Sequence, residues 1–305
     1  ESVDRRIPSN SPDNNLIEPN LKPMKQSYFD FGYDYMFESG YVARARYTRK
    51  VLNRAIDDVG ILGPQGEQYF IANPGYGVTI DEKNFESGFP NDVTPKAQRD
   101  YDAVEMTIER RYSKNYFLQA SYIWSRLYGN YAGLANSDEN GRTSPNVNRV
   151  YDLPWMMYDS NGKLVYGRLG TDRPHTFKFF GSYDKKWKIG TTRFSPQFLA
   201  YSGTPLTTEL HILGVPVFPF GRGDMGRTPM FQQTDFAVMH DFKMNSESGR
   251  FFRFELNVTN LFNNNAIMDV EKNIDHQSDS GLSFDNHADA FKPYNVQQQM
   301  RAQEI

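Results

Sequence analysis

Between Phe251 and Asn264 the chain reads FFRFELNVTNLFNN. Phe252, Phe254, Leu256, Val258, Asn260 and Phe262 occupy the even positions, and Arg253, Glu255, Asn257 and Thr259 stand between them. A period of two with one greasy and one polar face is the mark of a β-strand, and this one runs longer than most strands of soluble proteins. The same alternation recurs along the chain. Phe29, Phe31, Tyr33, Tyr35 and Phe37 alternate with Asp30 and Asp34, and after Glu38-Ser39-Gly40 the return run sets Tyr41, Ala43, Ala45 and Tyr47 against Arg44 and Arg46. Val104, Met106 and Ile108 are answered across Tyr112–Asn115 by Tyr116, Leu118, Ala120, Tyr122 and Trp124. His175, Phe177, Phe179, Gly181 and Tyr183 precede Phe194, Phe198 and Ala200, and Phe236, Val238 and Phe242 precede the opening stretch. Four hairpins are therefore expected, at 26–53, 100–126, 173–202 and 231–264.

The connections between these runs alternate short, long, short, long. Loops as long as 54–99 and 127–172 are uncommon inside compact domains. A soluble sandwich has modest turns at both ends. Outer-membrane barrels instead have short periplasmic turns, long extracellular loops, an apolar outer band and a polar lumen. Strands of this length also match a tilted membrane crossing. The expected fold is all-β, a transmembrane antiparallel β-barrel present in part. Eight strands are followed by the start of another at 296–305, and residues 1–25 form an extracellular loop. Ser39, Ser113, Lys186 and Ser246 then mark periplasmic turns, while Pro74, Trp155, Gly223 and His276 sit in external loops.

Composition narrows this without changing it. The 305 residues are 38% hydrophobic and 15% aromatic, with a formal charge of −3 and no cysteine. The mean hydropathy of −0.68 looks too polar for a membrane protein. No run approaches the roughly 18 apolar residues of a membrane helix, but strands hide their hydrophobicity in alternation. Near-neutral charge gives no sign of a nucleic-acid partner, and the absence of cysteine removes disulfide and thiol chemistry. The chain opens on ESVDRRIPSN, without Met or signal peptide, and is read as a piece of a longer protein.

A barrel fixes where side chains point. Phe31, Tyr33, Leu118, Tyr122, Phe179, Phe198, Val238, Phe254 and Leu256 should face outer-membrane lipid. Tyr41, Tyr116, Phe242 and Phe252 should form the girdle near the short turns, and Tyr28, Trp124 and Phe262 the girdle at the other end. Arg44, Arg46, Glu105, Arg253 and Glu255 should line the lumen and pair with one another.

Several stretches go beyond a generic barrel: PNLKP from Pro19, SYIWSRLYGNYAGLA from Ser121, GRTSPN from Gly141, GRLGTDRPHTFKFFGSY from Gly167, and FELNVTNLFN from Phe254. In these the chain resembles the C-terminal barrel portion of TonB-dependent outer-membrane receptors, in particular the Oar-like group. The resemblance implies a barrel of about 22 strands, of which eight to nine are here, filled by an N-terminal plug and driven by the TonB complex. It implies import of a scarce ligand, and in Oar-like members an extra N-terminal β-domain. The plug, the TonB box and the closing terminal aromatic of such receptors are missing from this chain. The other functional class is a passive or structural outer-membrane barrel, a porin or an adhesion or secretion platform.

No chemistry-bearing motif stands out. Asp138-Glu139-Asn140-Gly141 offers oxygen ligands but lacks the spacing of a calcium loop and reads better as a solvated turn. His175, His211, His240, His276 and His287 lack metal-ligand spacing, and there is neither a nucleophile elbow nor a phosphate-cradling glycine loop. An enzyme, a metal and a cofactor are not expected. In the loop from Tyr128 to Tyr166, Tyr131, Tyr151, Trp155 and Tyr158 offer rigid rings that could stack on an extracellular ligand. The more ordinary role for such rings is to fold the loop onto the rim.

Overall fold

The computed structural model describes residues 16–63, 66–81, 94–133, 151, 157–212, 215–244 and 250–274. Strands dominate: β1 (Leu16–Ile17), β2 (Lys25–Met36), β3 (Tyr41–Arg54), β4 (Asp57–Gly63), β5 (Gly66–Ala72), β6 (Arg99–Ser113) and β7 (Tyr116–Gly129). After these come β8 (Gly167–Arg168), β9 (His175–Trp187), β10 (Gly190–Tyr201), β11 (Leu210–Ile212), β12 (Val215–Val217), β13 (Phe231–Lys243) and β14 (Phe251–Val258). A 3-10 turn stands at Gly77–Ile80. Among the described residues no helix is long and apolar enough to cross a membrane.

Eight long strands form one sheet in the order β14-β13-β10-β9-β7-β6-β3-β2, every neighbour antiparallel and adjacent in sequence. This is the meander that consecutive hairpins dictate. β2 and β14 are its two edges, and among the described residues they do not pair with each other. The sheet is therefore an open wall. The ninth strand expected at 296–305 lies outside the described residues.

Tight turns set the register. Lys114 and Asn115 both have positive φ, at 49° and 71°, the signature of the two-residue turn whose twist matches that of a hairpin. Gly40, at φ 83°, closes the first hairpin, with the Phe37 N–H donating to the Tyr41 carbonyl at 2.8 Å. The third turn sits at Lys188–Ile189, because β9 runs on to Trp187, paired with Gly190. Lys186, expected in this turn, is inside the strand. Pro196 leaves a gap in the β9–β10 ladder between Phe194 and Gln197 while its pairing with β13 continues, as a residue without an N–H requires.

Alternation extends across the whole wall. The register Tyr33↔Ala45↔Met106↔Tyr122↔Phe177↔Ala200 shows one apolar row crossing six strands on a single face. Phe31, Leu118, Phe179, Phe198, Val238, Phe254 and Leu256 share that face with Tyr33 and Tyr122 by register. The opposite face carries Asp30, Asp34, Arg44, Arg46, Glu105, Glu109, Asp241, Arg253 and Glu255.

Two sequence expectations fail here. Tyr28 is not in the apolar girdle: it has the parity of Asp30 and lies on the charged face, with the Lys50 ammonium 5.5 Å from its ring centre. The strand from Phe251 stops at Val258 rather than reaching Asn264. Asn260 and Asn263 take positive φ, which Asn tolerates better than most residues. The Asp235 carboxylate accepts the Asn260 N–H at 2.7 Å, and the Asn264 N–H reaches the Asn260 side chain at 2.8 Å. These bonds turn the chain away even though the apolar alternation continues to Phe262.

The long connections are not structureless either. β4 and β5 form a hairpin, β1 adds to it in parallel as Leu16↔Phe70 and Ile17↔Ile71, and β11 pairs with β12. Both lie at the end of the wall opposite the tight turns. At that end Leu52, Ala55, Val59, Ala72, Ala97, Tyr131, Tyr151 and Met157 close a conventional buried core.

Candidate functional site

The charged face is a set of cross-strand pairs. Arg44, on β3, donates from Nη1 to Glu109 Oε2 at 2.7 Å on one side and lies 3.4 Å from Asp34 on the other. Arg46 stands 3.7 Å from Asp30. Farther along the sheet, Arg193 grips Asp184 with two bonds of 2.7 and 2.8 Å, and the Tyr112 hydroxyl donates to the same carboxylate at 2.6 Å. Arg253 grips Asp241 in the same bidentate way at 2.6 and 2.9 Å. Glu255 accepts the Asn257 amide at 2.9 Å, and Glu105 is level with Arg46 in the register.

The five residues expected on the inner wall thus share one face. Their partners differ from the expectation, since each arginine bonds a carboxylate one strand away and Arg253 does not bond Glu255. Arg193 and Arg253 bond the carboxylates directly opposite them, Asp184 and Asp241, whereas Arg44 reaches diagonally to Glu109 and Arg46 stands 3.7 Å from the diagonal Asp30 although Glu105 is opposite it. Arg44, Arg193 and Arg253 are each held by a carboxylate at 2.6–2.9 Å, so this part of the surface is polar and ordered.

The loop aromatics occupy different surroundings. Tyr131 and Tyr151 are each 1% exposed, with ring centres 6.1 Å apart. Both rings belong to the loop core. Among the described residues neither hydroxyl finds a partner, and burial, with the Asp57 carboxylate second, pushes both phenol pKa values up. Tyr158 is half-buried against the same cluster. Trp155 and the Asp138–Gly141 turn lie outside the described residues. The structure therefore brings Tyr131, Tyr151 and Tyr158 together as packing of the loop end.

Sequence reasoning passed over the residues that tie this end to the wall. Asp172, 2% exposed, accepts the Leu127 N–H at 2.7 Å and pairs with Arg227, whose guanidinium also donates to the Asp172 and Gly203 carbonyls at 2.8 and 3.1 Å. Next to it, Arg173 donates to the Ser202 carbonyl at 2.9 Å and stacks 4.2 Å over Tyr201. The TDRPHTFK stretch thus clasps together the bases of two connections, those after β7 and β10, where they leave the strands. Asn73 does the same work elsewhere: its side chain donates to the Lys22 and Ala55 carbonyls and accepts the Lys22 N–H. Buried Asp and Asn beside Pro and Gly in loops were the available signal.

Among the described residues no group of three or more His, Asp and Glu side chains comes close enough to hold a metal. A small polar cleft of about 240 Å³ lies between Thr171, Thr204, Thr207, Glu209, Asp269 and Lys272. Glu209 and Lys272 stand 3.5 Å apart there and are largely buried.

Comparison with known proteins matches this geometry. The chain is 30% identical over 262 residues to the TonB-dependent transporter Oar of Myxococcus xanthus, which covers 84% of this chain and 22% of that protein. The chain thus spans about a fifth of the length of that relative. No solved structure matches it. The family profile described as "Outer membrane beta barrel domain" matches residues 6–204, about two thirds of the chain. An open antiparallel wall with one apolar and one charged face is what a section of such a barrel must be, and the chain belongs to the outer membrane β-barrel domain family.

Proposed function

We infer that this chain is part of the wall of an energised outer-membrane receptor, which takes up a scarce ligand through a lumen closed by its own plug and opened by the TonB complex. The observation that carries the reading is the charged face. A narrow barrel would bury Arg44, Arg46, Glu105, Glu109, Arg253 and Glu255 with one another, and each ion left unpaired in a dry interior would cost several kcal/mol. A wide lumen containing water and a polar plug removes that penalty. The similarity to the Oar transporter supports the same reading.

Orientation follows from the connections. The tight turns at Gly40, Lys114–Asn115 and Lys188–Ile189 face the periplasm, and the elaborated end built on Tyr131 and Tyr151 faces the outside. An extracellular ligand meets the loops held by that core. Tyr131 and Tyr151 serve recognition by fixing the loop wall, and Tyr158, half-buried against them, belongs to the same wall. The similarity to a transporter favours transport over catalysis.

Conductance in planar bilayers tests this with the full-length protein and needs no identified ligand. A plugged receptor carries no steady ion current until its plug is deleted or unfolded. A steady open current from the intact protein would favour the porin alternative. Protease applied to intact cells should cut the long connections and spare the tight turns, and cleavage at Lys114–Asn115 would reverse the orientation.

A further inference from the structure

The apolar face is not apolar to its end. Four residues beyond Ala45, Arg49 stands on the outward face level with Asp102 of β6, which is level in turn with Arg126 of β7. Arg49 Nη1 lies 2.8 Å from Asp102 Oδ1, Arg126 Nη2 lies 3.7 Å from Oδ2, and the Tyr47 hydroxyl donates to Oδ1 at 2.8 Å. The carboxylate side chain is only 12% exposed, while the two guanidiniums are 47% and 54% exposed. One acid is thus shared between two arginines that both stay about half exposed, Arg126 lying 5.0 Å over the Tyr128 ring. Beyond this row, Arg168 donates to the Tyr128 hydroxyl at 3.0 Å, and Tyr166 donates to Asp100 at 3.1 Å. The outward end of β3, β6, β7 and β8 therefore carries three arginines against two aspartates, among tyrosines.

Directly below this row the same face is hollowed. Ala43, Ala45 and Ala120 are small residues in a row of large ones, and between Tyr33, Met106 and Tyr122 they leave a groove of about 520 Å³ that is almost entirely apolar. At about 3.3 Å per residue the groove begins some 13 Å from the arginine row, inside the outer half of a hydrocarbon layer about 30 Å thick. A positive row at the depth of headgroups and an apolar groove at the depth of acyl chains lie on the same strands.

We propose that this strip of the outer wall binds a phosphorylated lipid of the outer leaflet, its phosphate held between Arg49 and Arg126 and an acyl chain lying in the Ala43–Ala45–Ala120 groove. Arginine suits the headgroup because its planar fork can grip phosphate oxygens while one edge stays on Asp102. Asp102 is the positioning residue: it stands between the two guanidiniums and cancels only one of their charges. The lipid would brace the loop end, since Tyr128, Tyr166 and Arg168 stand between the headgroup row and the external loops.

The inference rests on the barrel being oriented with its long connections outward, so protease shaving is done first. The full-length receptor, solubilised in mild detergent, is then mixed with phosphorylated glycolipid from a Gram-negative outer membrane, or with the same lipid after phosphatase treatment. Retained lipid is counted by native mass spectrometry. The intact protein should retain the phosphorylated lipid roughly five- to tenfold better. Arg49→Gln with Arg126→Gln should remove that preference, and Ala45→Leu with Ala120→Leu should lower retention of both lipids. Millimolar inorganic phosphate should compete weakly, because it lacks the chain. Equal retention of the two lipids by the unaltered protein would overturn the proposal, even if the arginine variant failed to fold. So would a folded arginine variant with undiminished preference, or phosphate alone displacing all the lipid. A failed shaving experiment would overturn the orientation instead and leave a distinguishable result.

Discussion

The wall and the loop end of this protein bury their hydrophobic groups in opposite directions. In the wall, Phe31 and Leu256 on the edge strands are 66% and 49% exposed, and Met106 on β6, well inside the sheet, is 54% exposed. In the loop end, Val59 and Ala72 are fully buried, and Tyr131 shows 1%. Neither arrangement is an error, because each obeys its own solvent. Apolar surface is stable wherever water is absent, and for the wall the water-free phase is lipid outside the protein. The wall's polar groups then have to be satisfied on the other face and along the backbone ladder. The loop end has no lipid to lean on, and it folds around a small interior like any water-soluble domain.

If the two regions follow different rules, they should fail by different mutations. The largest effect belongs to the clasp between them. Asp172→Ala leaves Arg227 buried without its acid and strips the Leu127 N–H of its acceptor, and it should destabilise the loop end by about 3–5 kcal/mol. Hydrogen exchange should rise sharply in the connections after β7 and β10 and leave the ladders of β2, β3 and β6 protected. Exchange rising evenly through the wall would merge the two regions into one.

Next in size is a charge on the lipid side. Leu256→Arg should cost about 2–4 kcal/mol if the position lies near mid-bilayer, measured by unfolding in bilayers. Asn257→Arg, one residue along on the charged face, should cost much less. Equal losses would mean that both faces meet the same solvent.

The smallest effect separates the interiors. Tyr131→Phe and Tyr151→Phe remove buried hydroxyls that have no partner among the described residues, so each should be neutral or stabilising by up to about 1 kcal/mol. They should also change the response to alkali. Folded-state phenol pKa values lie above the ordinary 10.0 for both residues. Their stabilising contribution is therefore complete below pH 10 and is lost as the pH climbs from there toward the folded-state values. The unaltered loop end should loosen above pH 10, and the double Phe variant should resist. Loosening that is the same in both proteins would place the alkaline weakness elsewhere.

Sequence made the wall legible and the loop end mostly not. A period of two survives in the chain regardless of which solvent each face meets, so Phe31 to Leu256 could be assigned to one side without a structure. Local turn chemistry did the same for Lys114–Asn115. The β4–β5 hairpin escaped although Val59, Ile61, Tyr69 and Ile71 alternate around a Gly-Pro-Gln-Gly turn, because a long polar connection drew the eye to its breakers. The parallel pairing of β1 with β5 joins residues 54 apart (Leu16↔Phe70) and has no local signature. Parity alone would have put Tyr28 with Asp30 and Asp34. The ends of strands are harder: Asn260 ends β14 through bonds to Asp235, 25 residues earlier, and the alternation gives no warning. The lumen residues were legible as a face but not as pairs, since a partner one strand away depends on register. For Tyr131 and Tyr151 the sequence left both a ligand ring and a packing ring open, with packing the more ordinary, because an aromatic loop reads alike whether its rings point out or in.

The alternation of the wall can be measured directly, and the chain has no cysteine of its own to interfere. Single cysteines placed in turn from Arg253 to Val258 would carry a nitroxide label in the full-length protein reconstituted into bilayers. Collision with oxygen, which concentrates in lipid, is then compared with collision with a water-soluble nickel chelate. The two accessibilities should alternate in opposite phase, with oxygen highest at 254, 256 and 258 and the chelate highest at 253, 255 and 257. A flat profile, or one with the phases exchanged, would contradict the account that this sheet is a membrane wall with its hydrophobic side outward.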